Sequence, residues 1–239
     1  MGLKLGIHGV SGRMGLSVLQ CAMADKEIQY IVGFSRRPLI SEGKLSYEHS
    51  LEKFVKRSDV IIDFSSDEGL YELLLMAQKF NKPLVIGTTA LSISCFDQMK
   101  KASDQIPLIY AANFSLGVAA CLQAIEYLSN HLKTKFQIKI IETHHKHKKD
   151  SPSGTALAFA QATGSKPIIE SFREGEIVGK HQIFFSSPEE KIEICHEAFS
   201  RETFAQGAIF AAKKIPLQAN GFYNLRELLD QEFQTKQTS

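Results

Sequence analysis

Short apolar runs alternate with helical periodicity through the first half of the chain. Residues 3–9 (LKLGIHG) predict a strand ending in glycine, and 13–24 (RMGLSVLQCAMA) repeat apolar side chains at helical spacing. Further strands are predicted at 28–34, 59–64, 83–89 and 107–115, with helices at 51–57, 68–80 and 96–105 between them. The stretch DVIIDF at 59–64 is nearly continuous in apolar residues, as a strand buried on both sides requires. This alternation predicts an α/β unit, Rossmann-like, with a parallel sheet covered on both faces.

The pattern then changes. Apolar residues at 118, 122, 125, 128 and 132 mark one long amphipathic helix. In FQIKIIETH, residues 136–144, strict alternation puts Phe136, Ile138, Ile140, Glu142 and His144 on one face of a strand. A helix over SGTALAFAQA is followed by strands at 167–172, 178–185 and 190–197, with REGE at 173–176 as a turn between the first two. The stretches TFAQGAIFAAKKI and GFYNLRELL read as helix again. The expected organisation is a dinucleotide-binding domain of residues 1–115 and 202–239. A smaller α+β substrate-binding and oligomerisation domain of residues 116–201, with an open, mainly β sheet, completes it.

Composition changes this picture little. The 239 residues are 44% hydrophobic and 23% charged, ordinary for a globular protein. A net charge of +2 argues against a general nucleic-acid binder. Cys21, Cys95, Cys121 and Cys195 form no CxxC pair, which points away from a disulfide framework or zinc ribbon and toward a reducing, cytoplasmic compartment. No apolar run approaches the roughly 20 residues that span a bilayer.

Chemistry enters at the glycines. GVSGRMG, residues 9–15, follows a strand and opens a helix. There Gly9 and Gly12 permit a tight turn, and Gly15 permits close helix–sheet packing. Backbone N–H groups of Val10, Ser11, Arg13 and Met14 can then approach a pyrophosphate. The GxxGxxG spacing is also compatible with a plain glycine-rich turn. An NAD-selective site places an acid at the end of the second strand. Here that strand ends in Ser35-Arg36-Arg37, which suits the 2′-phosphate of NADP, with Arg36 as the main contact; a solvated basic loop is the alternative. Gly87-Thr88-Thr89 and Ala111-Ala112-Asn113-Phe114 stand at the ends of further predicted strands, where ligands bind in such sheets.

ETHHKHKKDSPSGTA, residues 142–156, crowds six cationic or ionisable side chains from His144 to Lys149. A metal site at His144, His145 and His147 meets repulsion from the interspersed lysines. A nucleic-acid patch lacks aromatic residues for stacking. A solvated loop is the plain alternative. The fourth possibility is a small di-acid, favoured by Ser153-Gly154-Thr155 at a helix start, whose free N–H groups and hydroxyls suit a carboxylate. A Lys or His with lowered pKa can deliver a proton there.

Taken together, these stretches resemble the bacterial 4-hydroxy-tetrahydrodipicolinate (dihydrodipicolinate) reductase family. The match rests on the 142–156 segment, and in order on GxxGRMG, GTT, AANFSLGV, VGKHQIFF, SRETFAQGA and GFYNLRELL, covering essentially the whole chain. The resemblance implies hydride transfer from NADPH or NADH to a cyclic dicarboxylate in lysine and diaminopimelate biosynthesis. It also implies a homotetramer that binds neither nucleic acid nor membrane and needs no metal. By position, His144 corresponds to the family's proton donor/acceptor and Lys148 to a second catalytic residue. His145, Ser153, Gly154 and Thr155 correspond to substrate contacts. Gly9 to Met14, Ser35, Arg36, Gly87 to Thr89 and Ala111 to Phe114 correspond to cofactor contacts.

Three departures stand out: Ser35 where many relatives carry an acid, Ala90 where Gly often follows GTT, and a shortened stretch between the SGTALAFAQA helix and Phe172. A non-catalytic NADP-binding module is the rival function, and intact His144 and Lys148 argue against it.

Overall fold

The structure is a computed structural model describing residues 2–35, 42–132 and 134–237. The chain divides into two compact units, one of residues 1–114 with 204–239 and one of residues 115–203.

The first unit runs β1 (Leu3–His8), α1 (Arg13–Ala24), β2 (Ile28–Phe34), β3 (Leu45–Glu48), α2 (Leu51–Arg57), β4 (Val60–Asp63), α3 (Asp67–Lys79), β5 (Leu84–Ile86), α4 (Ile93–Ser103) and β6 (Pro107–Tyr110). The second unit holds α5 (Leu116–Leu132), β7 (Gln137–His144), α6 (Gly154–Ala162), β8 (Ile168–Arg173), β9 (Gly179–Ser186) and β10 (Lys191–Ala198). The chain returns to the first unit within the first turn of α7 (Glu202–Lys214), and β11 (Gly221–Tyr223) and α8 (Leu225–Gln237) follow.

Seven strands of the first unit form one sheet in the order β11-β6-β5-β4-β1-β2-β3, every pair parallel. All four residues of β4 are buried. Because successive side chains point to opposite faces, that burial requires cover on both, as the apolar run predicts. Val32, Phe54, Ile61, Leu73 and Leu108 belong to the resulting core. Serines begin three of the helices: Ser50, Ser66 and Ser92 each accept a backbone N–H from three residues on.

Two strands escape the sequence pattern. β3 and β11, of four and three residues, lie at opposite edges of the sheet, too short to show a period. The last stretch, read as helix, instead contributes β11 before α8 starts. At that start Asn224 and Glu227 cap reciprocally, each side chain accepting the other's backbone N–H at 3.1 and 2.8 Å. Conversely, the strands predicted at 83–89 and 107–115 are only β5 and β6, and their remainders become loops.

The second unit has a four-stranded sheet in the order β10-β9-β7-β8, with β8 parallel to β7 and the other pairs antiparallel. Residues 173–176 therefore do not close a hairpin. The connection carries the chain from one side of β7 to the other, and Arg173 belongs to β8. Val118 and Ile125 of α5 and Phe159 of α6 pack with Ile140, Ile183 and Phe185. The shortened segment is accommodated because α6 ends at Ala162 and Gly164 turns the chain in the left-handed region, φ 59°. No helix among the described residues is long and apolar enough to cross a membrane.

Candidate active site

In the first unit, the loops after β1, β2, β4, β5 and β6 share the C-terminal edge of the parallel sheet, with β1 flanked by β2 and β4. In open α/β sheets this edge binds ligands. Gly9 has φ +78°, and a Cβ there would stand 2.4 Å from the Phe64 carbonyl oxygen. A Cβ on Gly15 would come within 2.1 Å of the Gly9 oxygen. Only glycines let α1 start so close to the β1 turn. Unlike the serine-capped helices, α1 begins at Gly12 with no side-chain cap and no acid in its first turn. Its first N–H groups have no intrahelical acceptor, which leaves a cradle suited to a phosphate.

The other expected cofactor residues divide by exposure. Ser11, Gly12, Arg13, Thr89 and Ala112 are exposed, and Gly9, Met14, Ala111 and Asn113 half-buried. Val10, Gly87, Thr88 and Phe114 are buried. Ser35 is buried at the end of β2, its N–H donating to the Glu48 oxygen at 3.1 Å and its carbonyl 2.6 Å from His49 Nδ1. Glu48, on neighbouring β3, is engaged by Arg57 at 2.6 Å. Arg36 and Arg37 lie outside the described residues.

A buried carboxylate missed in the sequence joins three of these loops. Asp63 Oδ1 is 2.6 Å from His8 Nδ1 and accepts the Ser65 hydroxyl at 2.6 Å; Oδ2 accepts the Thr88 hydroxyl at 2.6 Å. The Ser65 N–H donates to Thr88 Oγ1 at 2.8 Å. Asp63 thus ties the ends of β1, β4 and β5 together, and the Thr88 hydroxyl is engaged within the protein. An acid at the end of an apolar strand, two residues before a serine, was the available cue.

In the second unit, β7 places Ile140, Glu142 and His144 on its buried face, as the alternation predicts. Glu142 Oε2 faces His144 Nδ1. Nη1 and Nη2 of Arg173 both donate to Glu142 Oε1 at 3.0 Å. Burial pushes the Glu142 carboxyl up, but hydrogen bonds from Ser171 and Arg173 and the positive neighbourhood hold it below its ordinary value. His144 is lowered chiefly by burial, with Lys148 and Arg173 acting in the same direction against the pull of Glu142. β9 opens with Gly179, where a Cβ would stand 3.0 Å from His144 Nε2, so glycine leaves room for the ring.

The basic run is partly neutralised from within. Lys148 pairs with Asp150 at 2.8–2.9 Å, and Glu142 serves His144. Lys146, His147 and Lys149 are exposed. Nδ1 of His145 is buried without a hydrogen-bond partner among the described residues. Ser153 caps α6 by accepting the Ala156 N–H at 3.2 Å, and its hydroxyl lies 3.0 Å from His181 Nε2. Gly154 is exposed, and a Cβ there would meet no atom within 4 Å. Thr155 is half-buried. The structure therefore gathers His144, His145, Lys148 and Ser153 to Thr155 around the end of β7 and the start of α6.

His181, also missed in the sequence, lies edge-on to His144 with ring centroids 5.0 Å apart, and burial pushes it down to about 3. It stays neutral near pH 7. Glu142, His144 and His181 each offer one ligand atom, all within 4.8 Å of one another. This is a different trio from the one the basic run suggests. A cation there would compete with His144 and Arg173 for both Glu142 oxygens, beside the positive charge of Lys148.

A parallel sheet with a glycine turn in one unit, and a buried histidine–carboxylate pair beside a lysine in another, place the chain in the dinucleotide-fold class. Family models describing the N-terminus and the C-terminus of dihydrodipicolinate reductase match residues 3–114 and 117–229. The 4-hydroxy-tetrahydrodipicolinate reductase of Campylobacter lari is 38% identical over 95% of this chain and 99% of the relative. That of Stenotrophomonas maltophilia is 40% identical over 95% and 98%. Among solved structures, dipicolinate-bound dihydrodipicolinate reductase from Paenisporosarcina sp. TG-14 shares the fold with a TM-score of 0.83 at 19% identity, over 94% of this chain and 98% of that one. Diaminopimelate dehydrogenase of C. glutamicum gives 0.62 at 10% identity, over 95% and 93%. The chain belongs to the dihydrodipicolinate reductase family. With membership comes the family's oxidoreductase activity, reduction of 4-hydroxy-tetrahydrodipicolinate in lysine and diaminopimelate biosynthesis.

Proposed function

We propose that the second unit binds the dicarboxylate and supplies its proton, while the first unit binds NADPH in preference to NADH. The observation that carries this reading is the His144–Glu142 pair at the end of β7, next to Lys148 and the serine-capped start of α6. In the net reaction the substrate gains a hydride and a proton and loses its hydroxyl as water. The reduced nicotinamide supplies the hydride when bound. The remaining tasks fall to side chains of this chain.

Lys148, His145 and the Ser153–Gly154–Thr155 turn hold the carboxylates, with Lys148 stabilising negative charge as it develops. His144 handles the proton from Nε2 while Glu142 fixes its ring through Nδ1. The TG-14 relative is dipicolinate-bound, which supports a planar dicarboxylate as ligand. On the nucleotide side, residues from Gly9 to Met14 would hold the pyrophosphate, with Gly87 to Thr89 and Ala111 to Phe114 near the nicotinamide. Ser35 and Arg36 would receive the 2′-phosphate. An engineered D-amino acid dehydrogenase of similar fold is bound to NADP+, in line with this assignment. Assembly as a homotetramer belongs to the same reading. Exposed Ile168 and Phe172 on edge strand β8 offer apolar surface for it.

The test is loss of reduced-nicotinamide absorbance when purified protein meets the condensation product of aspartate semialdehyde and pyruvate. Turnover with NADPH exceeding that with NADH is expected, and Arg36→Ala should narrow the difference. No turnover with either nucleotide would overturn the reading, leaving a nucleotide-binding module.

A further inference from the structure

Arg173 ends β8 and lies opposite His144 in the parallel ladder. Four hydrogen bonds leave its guanidinium. Two reach Glu142 Oε1 at 3.0 Å, one the Asp150 carbonyl at 2.6 Å and one the Phe172 carbonyl at 2.7 Å. The first pair holds the carboxylate that faces His144. The Asp150 bond holds the backbone of the residue whose side chain pairs with Lys148. Arg173 Nη2 thus contacts both the buried acid and the basic loop, and only a planar fork of several donors makes all four bonds at once.

We propose that Arg173 is a positioning residue of the catalytic centre, setting Glu142 against His144 and fixing the loop that presents Lys148, without touching the substrate. This rests on the reading in which His144 handles the proton and Lys148 engages the dicarboxylate. A buried carboxylate needs neutralisation. While Arg173 supplies it, Glu142 orients His144 without capturing its proton permanently. Four charged or titratable groups face His144: Glu142 on its own strand, Lys148 from the loop, Arg173 from β8 and His181 from β9. Removing Arg173 takes away one cation and leaves the Glu142 charge facing His144, with Ser171 and the Ser153 N–H (3.4 Å) as neutral hydrogen-bond partners. Both changes favour imidazolium, so His144 should hold its proton to higher pH.

The experiment compares wild type with Arg173→Met and Arg173→Lys. In Arg173→Met, kcat should fall about 10- to 100-fold, the scale of a misplaced reacting group. NADPH affinity should stay at the wild-type value. Ring-nitrogen NMR, with the His144 resonances assigned by their loss in His144→Gln, should show its titration moved to higher pH. Arg173→Lys, which keeps the charge and part of the hydrogen bonding, should recover part of kcat and of the titration. Wild-type kcat in Arg173→Met overturns the proposal, as does a loss of kcat with the His144 titration unmoved. If Arg173→Met does not fold, Arg173→Lys decides: a wild-type His144 titration together with wild-type kcat overturns the proposal. Because the NMR titration needs no turnover, failure of the reductase reading, seen as an inactive wild type, is separable from failure of the role given to Arg173.

Discussion

Glu142 and His144 stand two residues apart on one face of β7, both buried, the carboxylate Oε2 against the imidazole Nδ1. This pairing leaves Nε2 as the nitrogen for proton traffic and sets the direction in which each neighbour tunes it. Glu142 draws the proton onto His144, whereas burial, Lys148 and Arg173 oppose that. Glu142→Gln should therefore move the His144 titration to lower pH, opposite to the change expected for Arg173→Met. It should also destabilise the fold by about 1–3 kcal/mol, because Arg173 loses its ionic partner while keeping its bonds to the Asp150 and Phe172 carbonyls. Histidine NMR across pH and urea unfolding check the two effects; a titration displaced upward contradicts the charge assignment.

His181 gives the fold an acid sensitivity of known sign. Its ordinary value is 6.5 and burial pushes it to about 3, so below pH 6.5 the unfolded chain binds a proton that the folded chain excludes. Stability must fall as pH drops through that window. Between 6.5 and the ordinary glutamate value of 4.5, two pH units correspond to about 2–3 kcal/mol from this group. His144 and His196, also lowered by burial, add to the slope. His181→Gln should flatten the dependence in urea unfolding at pH 6.5 and 5; an unchanged slope contradicts it.

Asp63 is the hub of the nucleotide edge. Asp63→Asn replaces an acceptor of the Ser65 and Thr88 hydroxyls with a group that is half donor. A loss of about 1–3 kcal/mol in stability is expected, the usual penalty for a buried group left unmatched. NADPH affinity should weaken roughly tenfold as the β1, β4 and β5 loops lose their common anchor, equivalent to about 1.4 kcal/mol. Dipicolinate binding without nucleotide should be unaffected. Isothermal titration of each ligand separates these outcomes.

Ala90 departs from the glycine that often follows GTT and adopts φ +58°, in the left-handed region. That conformation costs a non-glycine residue about 1–2 kcal/mol. Ala90→Gly should release it, against a smaller gain in unfolded-chain entropy. A net stabilisation of about 0.5–1 kcal/mol is expected in denaturant titration, and destabilisation would contradict it.

What the sequence revealed and what it hid follow from distance along the chain. β4 and β7 were legible because burial on two faces or on one writes itself into adjacent residues. β3 and β11 were hidden because a few residues paired at a sheet edge leave no period. Ser153, Gly154 and Thr155 were legible as a helix start. Arg173 was hidden within a turn because its partner Glu142 lies 31 residues away. His181 and Ser153 are 28 apart, and His8 and Asp63 are 55 apart. Local pattern carries helices, strands and caps, whereas networks that orient catalytic groups are assembled by strand order. The basic run was legible as a charged cluster, but its internal neutralisation by Glu142 and Asp150 required the fold.

The central claim is that His144 and Lys148 act on a dicarboxylate held at the start of α6. Steady-state kinetics of His144→Gln and Lys148→Gln with 4-hydroxy-tetrahydrodipicolinate test it most directly. Turnover is expected to fall roughly 10²-fold in each, with NADPH affinity preserved. Wild-type turnover in both variants would contradict it.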